Sequence, residues 1–248
     1  MFFLDENQYM RPDEVGSAGL IRGAAKEYGV RFSEFSLKAQ FRCGGSVGYI
    51  DLIDRLLGFS DVAPAFIGEI YKVTLTDSPQ DLDDMIKKSL VAGETARIVA
   101  GFCWVWTDPN EAGWLADDVV IGKWQKPWNR KPIKGKQYRP EQHPYTLWAE
   151  SPEGAQQVGC IYSAQGFEFD RVGVIWGQEL VWRDGSWVSD RTKSRDNPVK
   201  RKDADTTRLL RNAYRVLLTR GIRETRILCL DSETRAYLAT VLGQATTT

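Results

Sequence analysis

Hydrophobic residues along this chain follow two patterns, one typical of helices and one typical of buried strands. Between positions 46 and 57 apolar side chains recur at intervals of three and four, which predicts a helix that ends at Gly58. Residues 69–75 and 96–105 are apolar runs typical of strands. Ser78 and Pro79 begin a helix between them, and its predicted buried face consists of Leu82, Met85, Ile86 and Leu90. A strand, a helix and a strand in this order predict an α/β fold with a parallel sheet.

The pattern continues toward both ends of the chain. The further predicted elements are helices at 12–28 and 207–219, strands at 32–41 and 225–230, and a last helix from Asp231 or Ser232 through Leu242. Asp184 and Gly185 lie between two short strand-like runs and predict a tight hairpin. Residues 191–205 carry dense charges of both signs, which favours a mobile loop.

The composition of the chain limits the classes of protein to which it can belong. A chain of 248 residues with 42% hydrophobic content can form one large domain or one and a half. The 33 basic residues balance 33 acidic ones, so any binding of nucleic acid requires a local basic patch. Four dispersed cysteines and one histidine give no metal-ligand spacing, and we expect reduced, buried thiols and no metal site. The chain shows no targeting segment and no membrane-length apolar run, so we expect a cytoplasmic protein without membrane contact.

Two segments near the C-terminus carry candidate chemistry. The first, SAQGFEFDRVGVIWG at 163–177, leads from small and polar residues into an apolar strand, a layout that presents backbone amides and carboxylates to a ligand. The second, NAYRVLLTRG at 212–221, is a helical stretch that ends at Thr219, Arg220 and Gly221. An arginine at such a helix end can reach a phosphate across a cleft, and its planar fork matches the phosphate oxygens.

In this order the two segments resemble late motifs of the second RecA-like domain of superfamily 1 helicases. The chain resembles more closely the Schlafen-type helicase-like domain of a prokaryotic family, domain of unknown function 2075. Further strings resemble that family in the same order: MFFLDENQYMRPDEVGS, SLKAQFRCGGSVGYIDLIDRLLG, RIVAGFCWVWTD and QQVGCIYSAQG. The resemblance covers nearly the whole chain and implies a RecA-like P-loop NTPase second domain, with a mainly parallel sheet flanked by helices.

The resemblance assigns roles to individual positions. It implies that Gln8, Arg42 and Arg220 contact the terminal phosphates of ATP, and that Glu168 reaches the sugar. Gly166 and Gln165 would bind the nucleotide, while Ser163 and Gln165 would contact nucleic acid or relay that contact. Two of these positions also have a purely structural interpretation: Gln8 could belong to a solvated turn at a strand end, and Arg42 could form a surface ion pair. We expect the phosphate and sugar contacts to meet at the carboxyl edge of the sheet.

The phosphate-binding loop GxxxxGK[ST] of such motors does not occur in the sequence. We therefore expect that loop and the acidic magnesium-binding motif to lie upstream of residue 1, in a first RecA-like half from the same gene or a separate chain. Residues 1–30 would end that first domain, and 31–248 would form the second. ATP and Mg²⁺ are expected only together with the missing half, and neither cofactor is expected for this chain alone.

A basic and aromatic insertion at roughly 107–145 has no acid between Asp118 and Glu141. It could follow the phosphates of single-stranded DNA or RNA while its rings stack on bases. The candidate contacts are Trp124, Lys126, Trp128, Arg130 and Lys131. The alternative is a solvated loop whose tryptophans pack back onto the domain. A second, charged loop is expected at roughly 183–205.

Two functions from different classes remain open. The first is the C-terminal half of an ATP-dependent helicase or translocase, inactive as an ATPase when isolated. The second is a RecA-like adaptor that binds nucleic acid or protein without hydrolysing nucleotide. A hydrolase with an unrelated site has little support, because GxSxG and HExxH are both absent from the sequence.

Overall fold

A five-stranded parallel sheet forms the centre of the protein. The computed structural model describes residues 9, 11–12, 17–35, 43, 47–61, 71–201 and 205–243. The helices are α1 (Ala18–Glu27), α2 (Val47–Leu56), α3 (Pro79–Val91), α4 (Pro144–Glu150), α5 (Ile161–Ala164), α6 (Thr206–Leu218) and α7 (Ser232–Val241). The strands are β1 (Lys72–Thr76), β2 (Ala96–Ala100), β3 (Val119–Ile121), β4 (Trp124–Lys126), β5 (Val158–Gly159), β6 (Phe169–Trp176), β7 (Leu180–Arg183), β8 (Ser186–Ser189) and β9 (Gly221–Cys229).

The central sheet has the strand order β1-β9-β6-β2-β5, and every pair in it is parallel. Parallel strands need crossover connections, and α3, α5 and α6 supply them between the strands. The predicted α/β fold with a mainly parallel sheet flanked by helices is confirmed. The arrangement is consistent with a RecA-like domain.

Alternate residues of the strands pack on opposite faces of the sheet. On one face Val174 of β6 belongs to the apolar cluster that also contains residues of α2, α6 and α7. On the other face Ile175 packs with residues of α3 and β2. A Cβ on Gly173 would lie 3.2 Å from a methyl group of Leu82, so glycine at this point lets α3 approach the sheet closely. Both faces are therefore covered, as buried parallel strands require.

The start of α3 forms as its sequence predicts. The Ser78 hydroxyl accepts a hydrogen bond from the Gln80 amide at 3.1 Å, and Pro79 occupies the first turn. Leu82, Met85 and Ile86 are buried, but the predicted fourth contact is wrong, since Leu90 is 39% exposed and Ser89 faces the core instead. The predicted strand at 96–105 ends at Ala100. Its later apolar residues, Phe102 and Trp104, pack beside the core without extending the sheet.

Other boundaries differ more. Helix α1 starts at Ala18, where the Ser17 hydroxyl accepts from the Leu20 amide, so the predicted start at position 12 was too early. Residues 31–35 form no strand, and the remainder of the strand predicted at 32–41 lies outside the described residues. The hairpin β7–β8 is confirmed, with positive φ angles at Asp184 and Gly185.

The charged segment after this hairpin was predicted as a mobile loop, and its described part at 191–201 has no helix or strand but is attached to the core. Ser194, Asp196 and Val199 are buried. The Arg195 amide donates to the Phe102 carbonyl at 2.7 Å, and the Thr206 hydroxyl donates to the Val199 carbonyl at 3.0 Å. We call residues 190–201 the strap, because they cross the ends of β2 and β6.

Some expectations concern absences. All four cysteines are free thiols, and Cys103 is half-buried while the others are buried. Among the described residues no helix is long and apolar enough to cross a membrane. The same residues contain no group of three or more potential metal-binding side chains.

We expect Gly159→Ala to lower the free energy of unfolding by about 1–3 kcal/mol, because overpacking a tight core strains it. The new Cβ would lie 2.3 Å from the indole of Trp148, which also packs against Phe169. Chemical denaturation measures the change. Gly23→Ala in α1 is the control, since its Cβ would meet nothing within 4 Å and alanine favours helix. Equal stability of the two variants would contradict the prediction.

Candidate functional site at the amino edge of the sheet

The two candidate segments meet because their strands are neighbours. Strands β6 and β9 pair in parallel, and the Phe169 amide donates to the Arg220 carbonyl at 2.9 Å. Glu168 directly precedes β6, and Arg220 directly precedes β9. Both therefore lie at the amino edge of the sheet. The expected carboxyl edge was wrong, because these segments lead into their strands instead of following them. Gln8 and Arg42 lie outside the described residues.

The loop before β6 combines a buried base with an exposed tip. Ser163 is buried, and its hydroxyl accepts from the Cys160 amide at 2.8 Å and donates to the Cys160 carbonyl at 3.0 Å. Gln165, Gly166 and Glu168 are exposed. Gly166 has a φ of 95° and open space around the position of a Cβ. Ser163 therefore holds the base of the loop, while residues 165–168 are presented at the surface.

Arg220 joins this loop to the end of α6. Its side chain is 2% exposed. The guanidinium donates through Nε to the Val216 carbonyl at 2.9 Å and through Nη1 to the Phe167 carbonyl at 3.3 Å. A positive charge at the C-terminal end of a helix is also favoured by the helix dipole. In this conformation Arg220 holds the loop, and its buried side chain would have to become more exposed to contact a phosphate.

At the opposite, carboxyl edge the protein's own residues line a small pocket, among them Gly101, Glu179 and Asp196. Glu179 is buried there, where it accepts hydrogen bonds from the Tyr214 hydroxyl at 2.6 Å and from the Cys103 thiol. Burial raises the pKa of Glu179 above its usual range. The strap covers this group, and the Asp190 amide donates to the Glu179 carbonyl at 2.9 Å. The strap thus covers part of the carboxyl edge, where ligands usually bind in α/β proteins.

Three of the predicted nucleic-acid contacts face inward. Trp128 is 1% exposed, its indole donates to the Val105 carbonyl at 2.8 Å, and its backbone pairs in parallel with Val158. The Trp124 indole donates to Asp83 at 2.8 Å, and Lys126 forms an ion pair with the same carboxylate at 3.1 Å. These side chains anchor the segment to α3 and to the edge of the sheet. The ring of Trp128 presents no face to a base in this conformation.

The outward-facing cations lie further along the segment. Arg130 is exposed and donates to the Gly113 carbonyl at 2.7 Å, while half-buried Lys131 pairs with Asp108 at 3.0 Å. The remaining exposed cations of this surface are Lys134, Lys136 and Arg139. We call residues 130–139 the basic surface.

Sequence reasoning missed one exposed ring beside this surface. Trp114 is 75% exposed, in the turn that Arg130 holds through Gly113. Its position before the acid-free stretch excluded it from the predicted set. The turn residues just before it, Asn110 and Gly113, were the available signal, since the Asn110 side chain caps the Trp114 amide at 2.9 Å.

Comparison with known proteins identifies the family. A family model described as Schlafen group 3, DNA/RNA helicase domain, matches residues 1–231. The chain belongs to this family. The resemblance to Schlafen-type helicase-like proteins is thus confirmed over most of the chain, and it supports a helicase-related function at the level of the family.

A curated relative extends the comparison to a eukaryote. The Schlafen group 3 domain is 27% identical over 115 residues to the uncharacterized protein YPL245W of Saccharomyces cerevisiae (strain ATCC 204508 / S288c). The match spans 43% of this chain and 25% of the yeast protein. The matched segment thus covers about a quarter of the length of this relative.

Glu179→Gln is expected to become stabilising relative to the wild type as the pH rises above about 4.3, the usual glutamate pKa. A carboxyl whose pKa is raised in the folded state binds its proton more tightly there than in the unfolded chain. Its contribution to stability is therefore complete at low pH and is lost as the pH rises toward the folded pKa. Chemical denaturation between pH 4 and pH 8 tests this difference.

The expected slope is at most about 1.4 kcal/mol per pH unit. Glu111→Gln removes a carboxylate from an exposed position and controls for the loss of one charge. A constant difference between Glu179→Gln and the wild type across this range would refute the raised pKa of Glu179.

Proposed function

We propose that this Schlafen group 3 domain is the C-terminal half of an ATP-dependent nucleic-acid helicase or translocase. The observation that supports it most is the side chain of Arg220, which connects the loop 165–168 to the end of α6 at the amino edge. In this proposal Arg220, Gln8 and Arg42 act on the terminal phosphates, and Glu168 contacts the sugar. Gly166 and Gln165 line the nucleotide.

The physical logic rests on where charge develops during hydrolysis. The transition state of phosphoryl transfer spreads negative charge over the phosphate oxygens, and cations from a second domain stabilise it. Domain closure then depends on the nucleotide. Arg220 contacts the Phe167 carbonyl in this conformation. If Arg220 moved to another partner, the loop that carries Glu168 would lose this hydrogen bond.

The residues present fit one side of a nucleotide site. Glu168 is an exposed carboxylate, and the open space at Gly166 lets a ligand approach the backbone. ATP would supply the reacting phosphates, and Mg²⁺ would neutralise part of their charge. The phosphate cradle and the magnesium ligands would come from the first RecA-like half, as the same polypeptide or a separate one.

Single-stranded DNA or RNA is the partner that we propose for the basic surface. Its exposed cations would contact phosphates, with Trp114 beside them as a ring for stacking. Trp124, Lys126 and Trp128 would then act by anchoring this surface, while Arg130 and Lys131 contribute charge. Gln165 would make a further nucleic-acid contact or relay it, and Ser163 would hold the loop for that contact.

A second candidate is a RecA-like adaptor that does not hydrolyse nucleotide. The observation that favours it is the burial of Arg220, whose Nε and Nη1 donate to backbone carbonyls as in a structural arginine. In an adaptor Arg220 would stay in this position whether or not nucleotide is bound. An ATPase assay on the two halves separates these functions.

The isolated chain is expected to hydrolyse no ATP above background, because its arginines cannot replace the cradle and magnesium site. Addition of the half that carries GxxxxGK[ST] should produce ATP hydrolysis stimulated by nucleic acid. In that mixture Arg220→Lys, which keeps the charge but loses the fork, should lower kcat by about 10²–10³-fold. Arg223→Ala, at an exposed position nearby, is the control.

Hydrolysis by the chain alone that is lost on mutating one of its own residues would overturn this proposal. A mixture of the two halves that binds nucleic acid without hydrolysing ATP would favour the adaptor.

Replacement of Lys134, Lys136 and Arg139 by alanine should weaken binding to single-stranded nucleic acid equally across sequences. Each lost phosphate contact should reduce the slope of log affinity against log salt by about 0.7. Fluorescence anisotropy with a labelled oligonucleotide at several salt concentrations measures both effects. The matched control replaces the exposed lysines Lys26, Lys87 and Lys88, which lie on α1 and α3. An identical salt slope for the two triple variants would show that the basic surface is an ordinary solvated loop and does not bind nucleic acid.

A further inference from the structure

The end of helix α6 is buried, so its last carbonyl groups need hydrogen-bond partners inside the protein. A helix leaves its final carbonyls without intrahelical donors, and in a core each one requires another partner. Near this end the Thr219 hydroxyl donates to the Arg215 carbonyl at 2.9 Å, and Arg220 Nε donates to the Val216 carbonyl. Thr219 and Arg220 are both buried. The turn that carries Arg220 is thus tied to its own helix.

Hydroxyl groups from outside α6 complete the arrangement. The Tyr49 hydroxyl donates to the Leu218 carbonyl at 2.8 Å, and the Thr225 hydroxyl donates to the same carbonyl at 3.1 Å. The Tyr71 hydroxyl lies 2.6 Å from the Thr225 hydroxyl and 3.3 Å from the Gly221 carbonyl, and both oxygens are acceptors for its one hydrogen. The accepting carbonyls flank Arg220 on both sides. We call Tyr49, Tyr71 and Thr225 the hydroxyl brace.

The brace is packed too tightly to move separately from the turn. Its three side chains are at most 5% exposed, and the rings of Tyr49 and Tyr71 are 4.0 Å apart between centroids. A Cβ on Gly221 would lie 2.6 Å from the Tyr71 hydroxyl, so the backbone and this oxygen are in direct contact. A shift of the turn therefore requires a shift of the tyrosines.

Each brace residue comes from a different element. Tyr49 lies on α2, Tyr71 precedes β1 and Thr225 lies within β9. Helix α2 is also joined to α6 by the ion pair between Asp54 and Arg215 at 2.5 Å. The position of the Arg220 turn is consequently fixed by α2 and by the start of β1, as well as by its own helix.

We propose that the hydroxyl brace positions Arg220, so that Tyr49, Tyr71 and Thr225 are positioning residues for the reaction at the amino edge. This inference rests on the proposed function for its catalytic consequence, although the positioning itself is a property of this chain. Tyr49 and Thr225 share one acceptor, so loss of either hydroxyl leaves the Leu218 carbonyl with a donor. The double variant Tyr49→Phe/Thr225→Val removes both donors. Its effect on the position of Arg220 is expected to exceed the sum of the effects of the single variants.

The first experiment reads the position of Arg220 directly in the full chain. Phenylglyoxal modifies accessible arginines, and mass spectrometry locates the modified residues. Arg220 should react slowly in the wild type and about tenfold faster in the double variant, because the buried Leu218 carbonyl has lost both donors and the turn that holds Arg220 opens more often. Tyr237→Phe, which removes a hydroxyl that donates to the Leu56 carbonyl at 3.0 Å, is the matched control and should leave Arg220 protected.

Two other arginines make this result specific. Arg97 is buried in another part of the protein, where it donates to the Trp148 carbonyl, and it should stay protected in every variant. Arg223 is exposed and should react in all of them. Unchanged protection of Arg220 in the double variant would overturn the inference. A parallel rise at Arg97 would also overturn it, because that rise reports general loosening.

The second experiment measures ATP hydrolysis by the chain mixed with the half that carries GxxxxGK[ST]. Tyr71→Phe should lower kcat about tenfold and leave KM for ATP within about twofold, since the arginine acts mainly in the transition state. Unchanged kcat in an active mixture would contradict a catalytic role of the brace. A wild-type mixture without hydrolysis would refute the proposed function, whereas the arginine modification still decides whether the brace positions Arg220.

Discussion

The parallel pairing of β6 with β9 is the constraint on which the rest of this structure depends. Because both strands start at the same edge, the segments that enter them must meet there, although they lie about 50 residues apart. The Phe169 amide then binds the Arg220 carbonyl, and the Arg220 side chain returns to the Phe167 carbonyl. The backbone and the side chain of Arg220 thus both bind the segment around the start of β6. The exposed loop 165–168 takes its position from this contact.

The elements that the sequence predicted well are those decided by neighbouring residues. The cap of α3 and the turn at Asp184 and Gly185 depend on a few adjacent side chains and backbone angles, so their residue types are sufficient. The edge of the sheet could not be inferred in this way. A strand has the same composition whether the chemistry precedes or follows it, and the rule for carboxyl ends was applied to segments that lead into β6 and β9.

Orientation of side chains was also beyond local reasoning. The tryptophans of the acid-free stretch look equally suited to stacking or to anchoring, and Asp83, more than 40 positions earlier, decides between these roles for Trp124. For the strap, too, the sequence did not reveal which side chains are buried. Its charges suggested a solvated loop, yet Asp196 is buried where the Tyr162 hydroxyl donates to it at 2.7 Å. Burial of polar residues follows from partners that are distant in sequence.

The two surfaces proposed for nucleotide and nucleic acid lie toward opposite edges of the sheet. Residues 127–129 run parallel to β5, so the basic surface that follows them continues toward the carboxyl edge, while the loop 165–168 lies at the amino edge. An eight-residue strand such as β6 spans about 25 Å. The segments that carry the two surfaces therefore leave the sheet at opposite edges. Any coupling between them must pass through packed elements, and α6 is suited to carry it, because Tyr214 binds Glu179 at the carboxyl edge while Arg220 follows its last turn at the amino edge.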